Sequence, residues 1–476
     1  MYLLLAILWC LTITALSSTH SFFWDTIQLG SKHAHFYFEN DFEQFLLPTE
    51  IDSGHPPYFG IYLAVCWKIF GKSLQVSHWA MLPFLILLVF QWFNLGKRLI
   101  GRNLLPFFML FLSIDPVVAG QASLVSPDII LAGCFLLLIN GIYSKKSTLK
   151  VLAVIGLGMI STRGMMVAFL VFMWELVINW KKLSEGSRWK TFQGLIAPYL
   201  PGGLLAMSYL AYHYFSVGWI GYHQESEWAP SFARAGLGQF IKNTAVLVWR
   251  FLDFGRIFIF TGILLCAISL WKNNGLRKGK IDPQVRRMTL LYIIVLLGIS
   301  VPFLLYAGLQ QHRYLLPPFL LTTILFFLLI KELLSYNWTT RSRQGLLAIV
   351  SIGLLTGNLW IYPDRISQGW DSTLAHWSFY DLREQMREFV QDQQIELEKI
   401  GTAFPEIGSL KYKDLNEVRL GYKAKDLRTD QYILYSNIMN DFSDAELWRL
   451  QEEWKVMHEI RSRGIKMILY QRPADD

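Results

Sequence analysis

Residues 57–70 read PYFGIYLAVCWKIF, and the placement of this segment decides the topology of the whole chain. The segment is apolar enough to resemble a membrane span. It is short, however, and it carries Lys68 near its end, with Lys72 just beyond. A spanning helix needs ~20 mostly apolar residues. We therefore interpret the segment as an amphipathic helix that lies on the outer membrane surface.

Apolar stretches recur along the chain on both sides of this segment. A mostly apolar run of ~17–25 residues is typical of a transmembrane helix, and the sequence predicts about eleven of them, with one long stretch divided at Thr162-Arg163-Gly164. These predicted spans are 2–19, 77–95, 104–121, 127–143, 148–161, 164–180, 192–212, 254–271, 288–308, 314–331 and 345–362.

The charges of the connecting loops predict the orientation of these spans. Lys and Arg concentrate in five connections, 96–103, 144–150, 181–190, 272–287 and 331–343, which hold 19 of them. Basic loops face the cytoplasm. If residues 57–70 crossed the membrane, all five would lie outside. With those residues on the surface, the amino terminus is cytoplasmic and the carboxyl terminus is extracytoplasmic.

Composition excludes several classes of protein. Hydrophobic residues make up 53% of the 476 residues and charged residues only 17%, whereas a soluble domain carries roughly 25% charge. A soluble enzyme and a disordered chain are therefore excluded. The net charge of +8 does not indicate nucleic acid, because the basic surplus lies in the loops between apolar segments. The four cysteines all lie in apolar stretches and are predicted to be core residues.

Residues 1–19 have two interpretations. They form either a retained first helix or a cleaved signal peptide. The stretch has no basic residues before its apolar run, and its end at Ala15-Leu16-Ser17-Ser18 is a poor cleavage site. We predict a retained helix.

The composition changes after Tyr362. Residues 363–476 are polar, with 16 Lys and Arg against 21 Asp and Glu. We predict a membrane domain over 1–362, in which 20–76 is an outer loop with surface helices, and a small extracytoplasmic α/β domain over 363–476. Its predicted helices are Leu382–Val390 and 443–463, and its predicted strands are Lys399–Phe404, Tyr432–Tyr435 and Ile465–Gln471.

Two acidic residues stand at the predicted outer ends of apolar helices. Asp25 follows the first helix in Phe23-Trp24-Asp25, and Asp128 opens another helix in Ser126-Pro127-Asp128. Asp25 alone could be a solvated loop acid, and Asp128 alone could be a helix cap near the dipole. Because both lie at the same face, they could also form one site.

Basic residues and a histidine stand at the same predicted face. His55 precedes the surface helix in Gly54-His55-Pro56-Pro57. Arg163 lies in a turn that holds no other basic residue, where it either reaches lipid headgroups or binds a phosphate. Arg313 and Tyr314 stand at the outer end of a helix.

Arg250 and Arg256 flank Asp253 at a spacing of three residues. This group either pairs internally or binds an anion. Taken together, the acids suit general-base catalysis or a divalent metal, and the arginines suit a phosphate group. These are the parts needed to transfer a sugar from a lipid phosphate to a hydroxyl group at the membrane surface.

The order of these motifs resembles that of the GT-C glycosyltransferases, which use polyprenyl-phosphate sugars. Similar groups are the protein mannosyltransferases and the bacterial transferases that add aminoarabinose or galacturonic acid to lipid A. The resemblance covers residues 20–320 and rests on the order and spacing of the motifs. It is carried by Asp25, His55-Pro56-Pro57, Phe70-Gly71-Lys72-Ser73, Pro127-Asp128, Thr162-Arg163-Gly164 and Arg313-Tyr314-Leu315-Leu316-Pro317.

The resemblance implies a polytopic α-helical GT-C fold in a bacterial inner membrane. It also implies that Asp25 is the catalytic carboxylate, assisted by Asp128, and that Arg163 and Arg313 hold the phosphate of a polyprenyl-phosphate sugar. The acceptor would be a glycolipid, a polysaccharide or a protein. Two departures bear on metal use and donor type: Thr26 follows Asp25 where the family often has an acid, and His55 replaces a lysine before Pro56.

Two other functions use the same residues. A transporter or flippase would line its pathway with ionisable groups, but it predicts internal repeats and charges at the midplane, and neither is visible. An inactive partner in a polysaccharide assembly complex is the other alternative, and the presence of both Asp25 and Asp128 argues against it.

Overall fold

A computed structural model of the chain describes residues 1–184, 188–226, 229–272, 281–308, 310–336 and 338–473. Parts of the predicted basic loops 181–190 and 272–287 lie outside these ranges. The first half of the described chain is helical, apart from connecting turns. Its helices are α1 (Tyr2–Ser17), a π-helix (Ile27–Lys32), α2 (His33–Glu39), α3 (Tyr58–Phe70), α4 (Leu74–Trp79), α5 (Leu82–Leu99), α6 (Leu105–Ile114), α7 (Pro116–Ala122), α8 (Pro127–Ser144), α9 (Ser147–Ile160) and α10 (Thr162–Ile178).

Helices continue to the end of the apolar region. They are α11 (Trp180–Ser184), α12 (Arg188–Ile196), α13 (Leu200–Val217), α14 (Leu237–Leu252), α15 (Arg256–Lys272), α16 (Pro283–Leu305), α17 (Leu316–Leu333) and α18 (Thr340–Gly357). Ten of the eleven predicted spans therefore coincide with a continuous helical stretch, and the span predicted over 104–121 is divided into α6 and α7. Among the described residues, five helices are long and apolar enough to cross a membrane, and two bent pairs would raise the number to seven. The chain is an integral membrane protein.

Two helices form the centre of the membrane region. Along α8 and along α17, 83% of the most apolar stretch is buried inside the protein. Such helices are hydrophobic on all sides because they contact other helices rather than water. α8 packs against α5 and α9, while α17 packs against α15 and α16, and the two central helices also touch each other.

The helices break at three places, and two of these breaks lie near residues that the sequence singled out. α6 and α7 meet at an angle of 61°, where Asp115 caps α7 by accepting hydrogen bonds from the N–H groups of Val117 and Val118. α9 ends before Ser161, whose hydroxyl caps α10. The stretch is therefore divided as predicted, although the break lies at Ser161 and residues 162–164 form the first turn of α10. α14 and α15 meet at 84°.

Helix α14 was not predicted. Its Leu237, Phe240, Ile241 and Trp249 side chains are exposed, while Asn243 and Arg250 are buried against the protein. The mixture of polar and apolar residues kept its mean hydropathy too low for a predicted span. The segment of residues 57–70 does form a helix, α3, but its 13 residues are too few to cross a bilayer core of ~30 Å at ~1.5 Å per residue.

The carboxyl-terminal domain is built on one mixed sheet, as predicted for a small α/β domain. It contains α19 (Trp377–Asp392), β1 (Ile400–Thr402), β2 (Gly408–Ser409), α20 (Lys411–Asp414), β3 (Gly421–Ala424), β4 (Tyr432–Ser436), α21 (Asp444–Glu453), β5 (Lys455–Ser462) and β6 (Ile465–Gln471). The strand order is β2-β3-β1-β4-β6-β5. β1 runs parallel to both β3 and β4, and the other pairs are antiparallel.

One predicted element of this domain is wrong. The helix expected over 443–463 ends at Glu453, and residues 455–462 form β5 instead. β5 pairs with β6 along its whole length through a tight turn at Arg463 and Gly464. Its residues follow no strict alternation, since the register shifts between Val456 and His458, and the hairpin partner selects the extended form. β2 and β3 were also not predicted, because strands of two and four residues carry too little pattern.

The hydrophobic core has two parts. The larger part lies among the membrane helices. The smaller part is the core of the carboxyl-terminal domain, and it also includes Phe23, Trp24 and Leu124 from the membrane region. The residues immediately before Asp25 are therefore packed into the carboxyl-terminal domain.

Candidate active site

The two central helices begin beside each other, and their first turns carry opposite charges. Asp128 lies in the first turn of α8. Arg313 lies in a single 3-10 turn, His312–Leu315, that leads directly into α17. The Arg313 Nη1 atom is 3.7 Å from an oxygen of Asp128. The pair is buried, with 1% and 2% of the side chains exposed.

The turn that holds Asp25 is closed by Thr26. The Thr26 hydroxyl donates to the carbonyl of Phe23 at 2.6 Å, and it accepts from the N–H of Phe23 at 3.0 Å. Trp24 takes a left-handed conformation with φ of 57°. This turn aims Asp25 at Arg313, and the two side chains form an ion pair through Nη2. Thr26, the departure from the family pattern, thus shapes the turn in which Asp25 sits.

Asp128 is not the cap of its helix. Ser126 caps α8 by accepting a hydrogen bond from the N–H of Asp128, which leaves the Asp128 carboxylate available for other partners. That carboxylate accepts a hydrogen bond of 2.6 Å from Nη1 of Arg163, in the first turn of α10. Arg163 also lies over the ring of Tyr314, with its guanidinium carbon 4.1 Å from the ring centre.

A third carboxylate, which the sequence analysis missed, completes the cluster. Asp371 follows the membrane helices in the chain, and its Oδ2 atom is 3.2 Å from Nε of Arg313. Each guanidinium nitrogen of Arg313 therefore faces a different carboxylate. No local pattern around Asp371 marks it as functional, because it approaches Arg313 only through the packing of residues 370–373 against α7.

A small open pocket lies against this cluster. Its polar walls include His33, His55, Asp128 and Arg163, and its apolar walls include Leu29, Phe59 and Ile160. His55 is half-buried and its Nδ1 atom is 3.0 Å from the Thr162 hydroxyl. Burial, and then the positive charge of Arg163, lower the pKa of His55 to about 4. The imidazole is therefore neutral at pH 7.

Two predicted binding residues lie apart from this pocket. Arg256 pairs with Asp115 and stacks over Phe319 at 3.6 Å. Arg250 is 3.6 Å from Asp253. Both arginines are thus engaged in ion pairs, but the predicted pairing within the group holds only for Arg250, because the partner of Arg256 is Asp115.

Asp253 links Arg250 to the site indirectly. Its carboxylate bonds to Nε2 of His312 at 2.7 Å and accepts a hydrogen bond of 2.6 Å from the Tyr362 hydroxyl. Because His312 is the neighbour of Arg313, this network supports the turn that carries Arg313.

Within the part of the chain that the structure describes, no group of three or more His, Cys, Asp or Glu is arranged to hold a metal ion. The carboxylates of Asp25, Asp128 and Asp371 converge instead on the guanidinium of Arg313.

Comparisons with known proteins agree with the architecture. No protein-family model matches the sequence, and no curated protein matches it either. Two solved structures do match: ArnT from Cupriavidus metallidurans, one bound to undecaprenyl phosphate and one in the apo state. Each superposes with a TM-score of 0.53 over 98% of this chain and 97% of that chain, at 12% sequence identity. The chain has the fold of ArnT. The GT-C fold that the motifs implied is therefore confirmed over nearly the whole chain, including the carboxyl-terminal domain.

Proposed function

We propose that the protein is a membrane glycosyltransferase that moves a sugar from a polyprenyl-phosphate donor to a hydroxyl group of an acceptor. The observation that carries this proposal is a partly exposed arginine, Arg163, at the wall of a pocket next to a buried carboxylate cluster. It occurs in the fold of a protein that was solved with undecaprenyl phosphate bound. The donor phosphate would bind at Arg163 at the wall of this pocket, and the acceptor hydroxyl would lie beside the adjoining carboxylate cluster.

Arg163 is the residue that holds the donor phosphate. All three guanidinium nitrogens of Arg313 face carboxylates, and 1% of its side chain is exposed. Arg163 uses one nitrogen for Asp128, and 13% of its side chain is exposed. Its remaining N–H groups can form charge-assisted hydrogen bonds with phosphate oxygens. Arg313 then acts on the carboxylates instead of on the donor.

Asp25 is the general base. Of the three carboxylates around Arg313, Asp25 has 12% of its side chain exposed, while Asp128 and Asp371 have 2% each. Asp25 is thus the most accessible of the three. In the reaction, Asp25 takes the proton of the acceptor hydroxyl, and the hydroxyl oxygen bonds to the anomeric carbon of the sugar. The bond from that carbon to the phosphate oxygen breaks, and the lipid phosphate leaves with the electron pair. Attack opposite the phosphate inverts the anomeric centre.

The neighbouring groups orient the substrates. Asp128 holds Arg163 against the Tyr314 ring. The imidazole of His55 is neutral because burial disfavours its charged form. It can therefore donate a hydrogen bond to a sugar hydroxyl or accept one from it. Asp128 and His55 thereby act in binding and not in proton transfer.

We also place this site at the outer face of a bacterial inner membrane, with the amino terminus in the cytoplasm. The basis is the basic character of the loops at the other ends of the helices. To test this, a single cysteine is placed at Lys97 or at Lys72, and intact cells are treated with a membrane-impermeant maleimide. Labelling at Lys72 alone is expected, and labelling at Lys97 alone would reverse the orientation.

The function is tested with the purified full-length protein. The protein is incubated with a panel of radiolabelled polyprenyl-phosphate sugars and with membrane extract as the acceptor source. Transfer of label from lipid phosphate to an acceptor is expected, with Asp25→Asn as the inactive control. Movement of intact donor across proteoliposomes, without loss of the sugar, would instead identify a flippase.

A further inference from the structure

Residues Trp370-Asp371-Ser372-Thr373 bring a carboxylate into the candidate site from outside the membrane helices. Asp371 is buried, with 1% exposure, and its Oδ2 atom is 3.2 Å from Nε of Arg313. The other two nitrogens of Arg313 face Asp25 and Asp128. The contact at Nε is an ion pair and not an aligned hydrogen bond. Negative charges opposite Nε and both Nη atoms nevertheless disfavour rotation of the planar guanidinium.

The position of Asp371 is itself constrained by the membrane helices. Its backbone carbonyl accepts a hydrogen bond of 2.8 Å from the Gln121 side chain, and the Ser372 hydroxyl donates to its Oδ1 atom at 2.9 Å. Gly120 of α7 allows this close approach, because a Cβ atom there would lie 2.6 Å from the backbone nitrogen of Thr373. The segment therefore sits in a groove that only a glycine leaves open.

We infer that Asp371 is a positioning residue for the reaction. Its carboxylate fixes the plane of the Arg313 guanidinium, so that Nη2 is held against Asp25 and sets the direction of the catalytic oxygen. This inference rests on the proposed function, in which Asp25 is the general base.

A second observation supports the same role for the carboxyl-terminal domain. The rings of Phe23 and Trp24, directly before Asp25, belong to the core of that domain. Phe23 stacks on His376 with ring centres 4.9 Å apart, and Trp24 meets Phe404 edge to face at 5.1 Å.

Backbone and ionic contacts reinforce this docking. The N–H of Phe22 donates to the carbonyl of Lys413 at 2.8 Å, and Lys411 pairs with Glu39 at 2.5 Å. The carboxyl-terminal side of the chain therefore holds the Asp25 turn from one side and Arg313 from the other.

The test compares three full-length variants. Asp371→Asn removes the charge, Asp371→Glu retains it, and Asp364→Asn is the matched control, because Asp364 precedes Asp371 in the same segment and pairs with Lys466 away from the site. We expect Asp371→Asn to lower kcat roughly 10–100-fold, as a small misplacement of a catalytic group does, with the donor KM within about 2-fold. Asp371→Glu should recover part of the loss, and Asp364→Asn should retain the wild-type kcat. An unchanged kcat in Asp371→Asn would overturn the inference.

A second measurement separates this inference from the proposed function. The thermal unfolding midpoints of Asp25→Asn, Asp371→Asn and the double variant are compared in the same detergent. Residues coupled through Arg313 should give shifts that do not add, whereas additive shifts contradict the positioning role even if the protein transfers no sugar. If the wild type transfers no sugar but the shifts are non-additive, the proposed function fails and the coupling stands.

Discussion

Replacing Arg163 with alanine should weaken the binding of the donor lipid while the fold persists. In our proposal the guanidinium donates to the phosphate, and a hydrogen bond between charged groups contributes ~1.5–3 kcal/mol. Since ~1.4 kcal/mol corresponds to a tenfold change in Kd, the loss should be about 10- to 150-fold. Arg163→Lys keeps the charge but not the planar fork, so its affinity should fall between those of the wild type and the alanine variant.

The same substitution should lower the stability of the protein by a separate route. Asp128 has 2% of its side chain exposed and would lose its partner at 2.6 Å. A buried charge without its partner costs ~3–5 kcal/mol. Arg313 remains 3.7 Å from Asp128, so we expect a decrease near the lower end, about 3 kcal/mol. Asp128→Asn combined with Arg163→Ala should recover part of this stability but none of the affinity.

The assay is a titration of the purified protein with undecaprenyl phosphate, read by intrinsic tryptophan fluorescence, at a temperature where every variant is folded. Arg234→Ala is the matched control, because Arg234 is exposed and its guanidinium also lies over a tyrosine, Tyr306, at 5.8 Å. An alanine variant at Arg163 that binds undecaprenyl phosphate as tightly as the Arg234→Ala control would refute the assignment of the phosphate to Arg163.

Three further predictions concern other parts of the site. Asp25→Asn should reduce turnover by ~10²–10⁴-fold, the usual contribution of a general base, without changing the Kd for undecaprenyl phosphate; a fully active variant would contradict the assignment. Because the pKa of His55 is lowered from its ordinary 6.5 to about 4, its contribution to stability is present above pH 6.5 and is lost as pH falls toward 4. His55→Asn should therefore make the decrease in unfolding free energy between pH 7 and pH 4.5 shallower, and an identical slope would show that His55 does not titrate differently on folding. Gly120→Ala should lower both the unfolding midpoint and kcat, since its Cβ would press on Thr373 at 2.6 Å; an unaltered midpoint would mean that residues 370–373 can shift freely.

In the membrane region, much of the fold follows from the local pattern of apolar residues and helix caps in the sequence. Long apolar runs predicted the main helices apart from α14, because the low dielectric of the bilayer requires backbone groups to be paired within the segment itself. The break before Arg163 also depends on local sequence. Ser161 caps the next helix, and Gly164 has no Cβ atom, which would otherwise lie 2.1 Å from the carbonyl oxygen of Leu157. By contrast, β5 depended on a partner strand, and α14 depended on a surface that covers its polar side.

The candidate site was predictable only in part. Four of its residues were identifiable from the sequence: Asp25, Asp128, Arg163 and Arg313. Charged residues at the ends of apolar helices are energetically costly, so their presence indicates a functional role. Which carboxylate pairs with which guanidinium was not predictable, because those partners lie on different helices, 35 residues apart for Arg163 and Asp128 and 288 apart for Arg313 and Asp25. The internal pairing of Arg256 with Asp115, 141 residues away, was hidden for the same reason.

Sequence by itself thus determined the class of the protein, the positions of its helices and the kinds of charged group at one end of them, since these follow from hydropathy and from the cost of burying charge. Only the tertiary structure decided which charges meet. It brought Asp371 to Arg313, placed Phe23 and Trp24 in the core of another domain, and left Arg163 with free donors beside a pocket. The physical reason is that ion pairs and side-chain packing act over a few ångströms in space, whereas the separation of their partners along the chain is unrestricted.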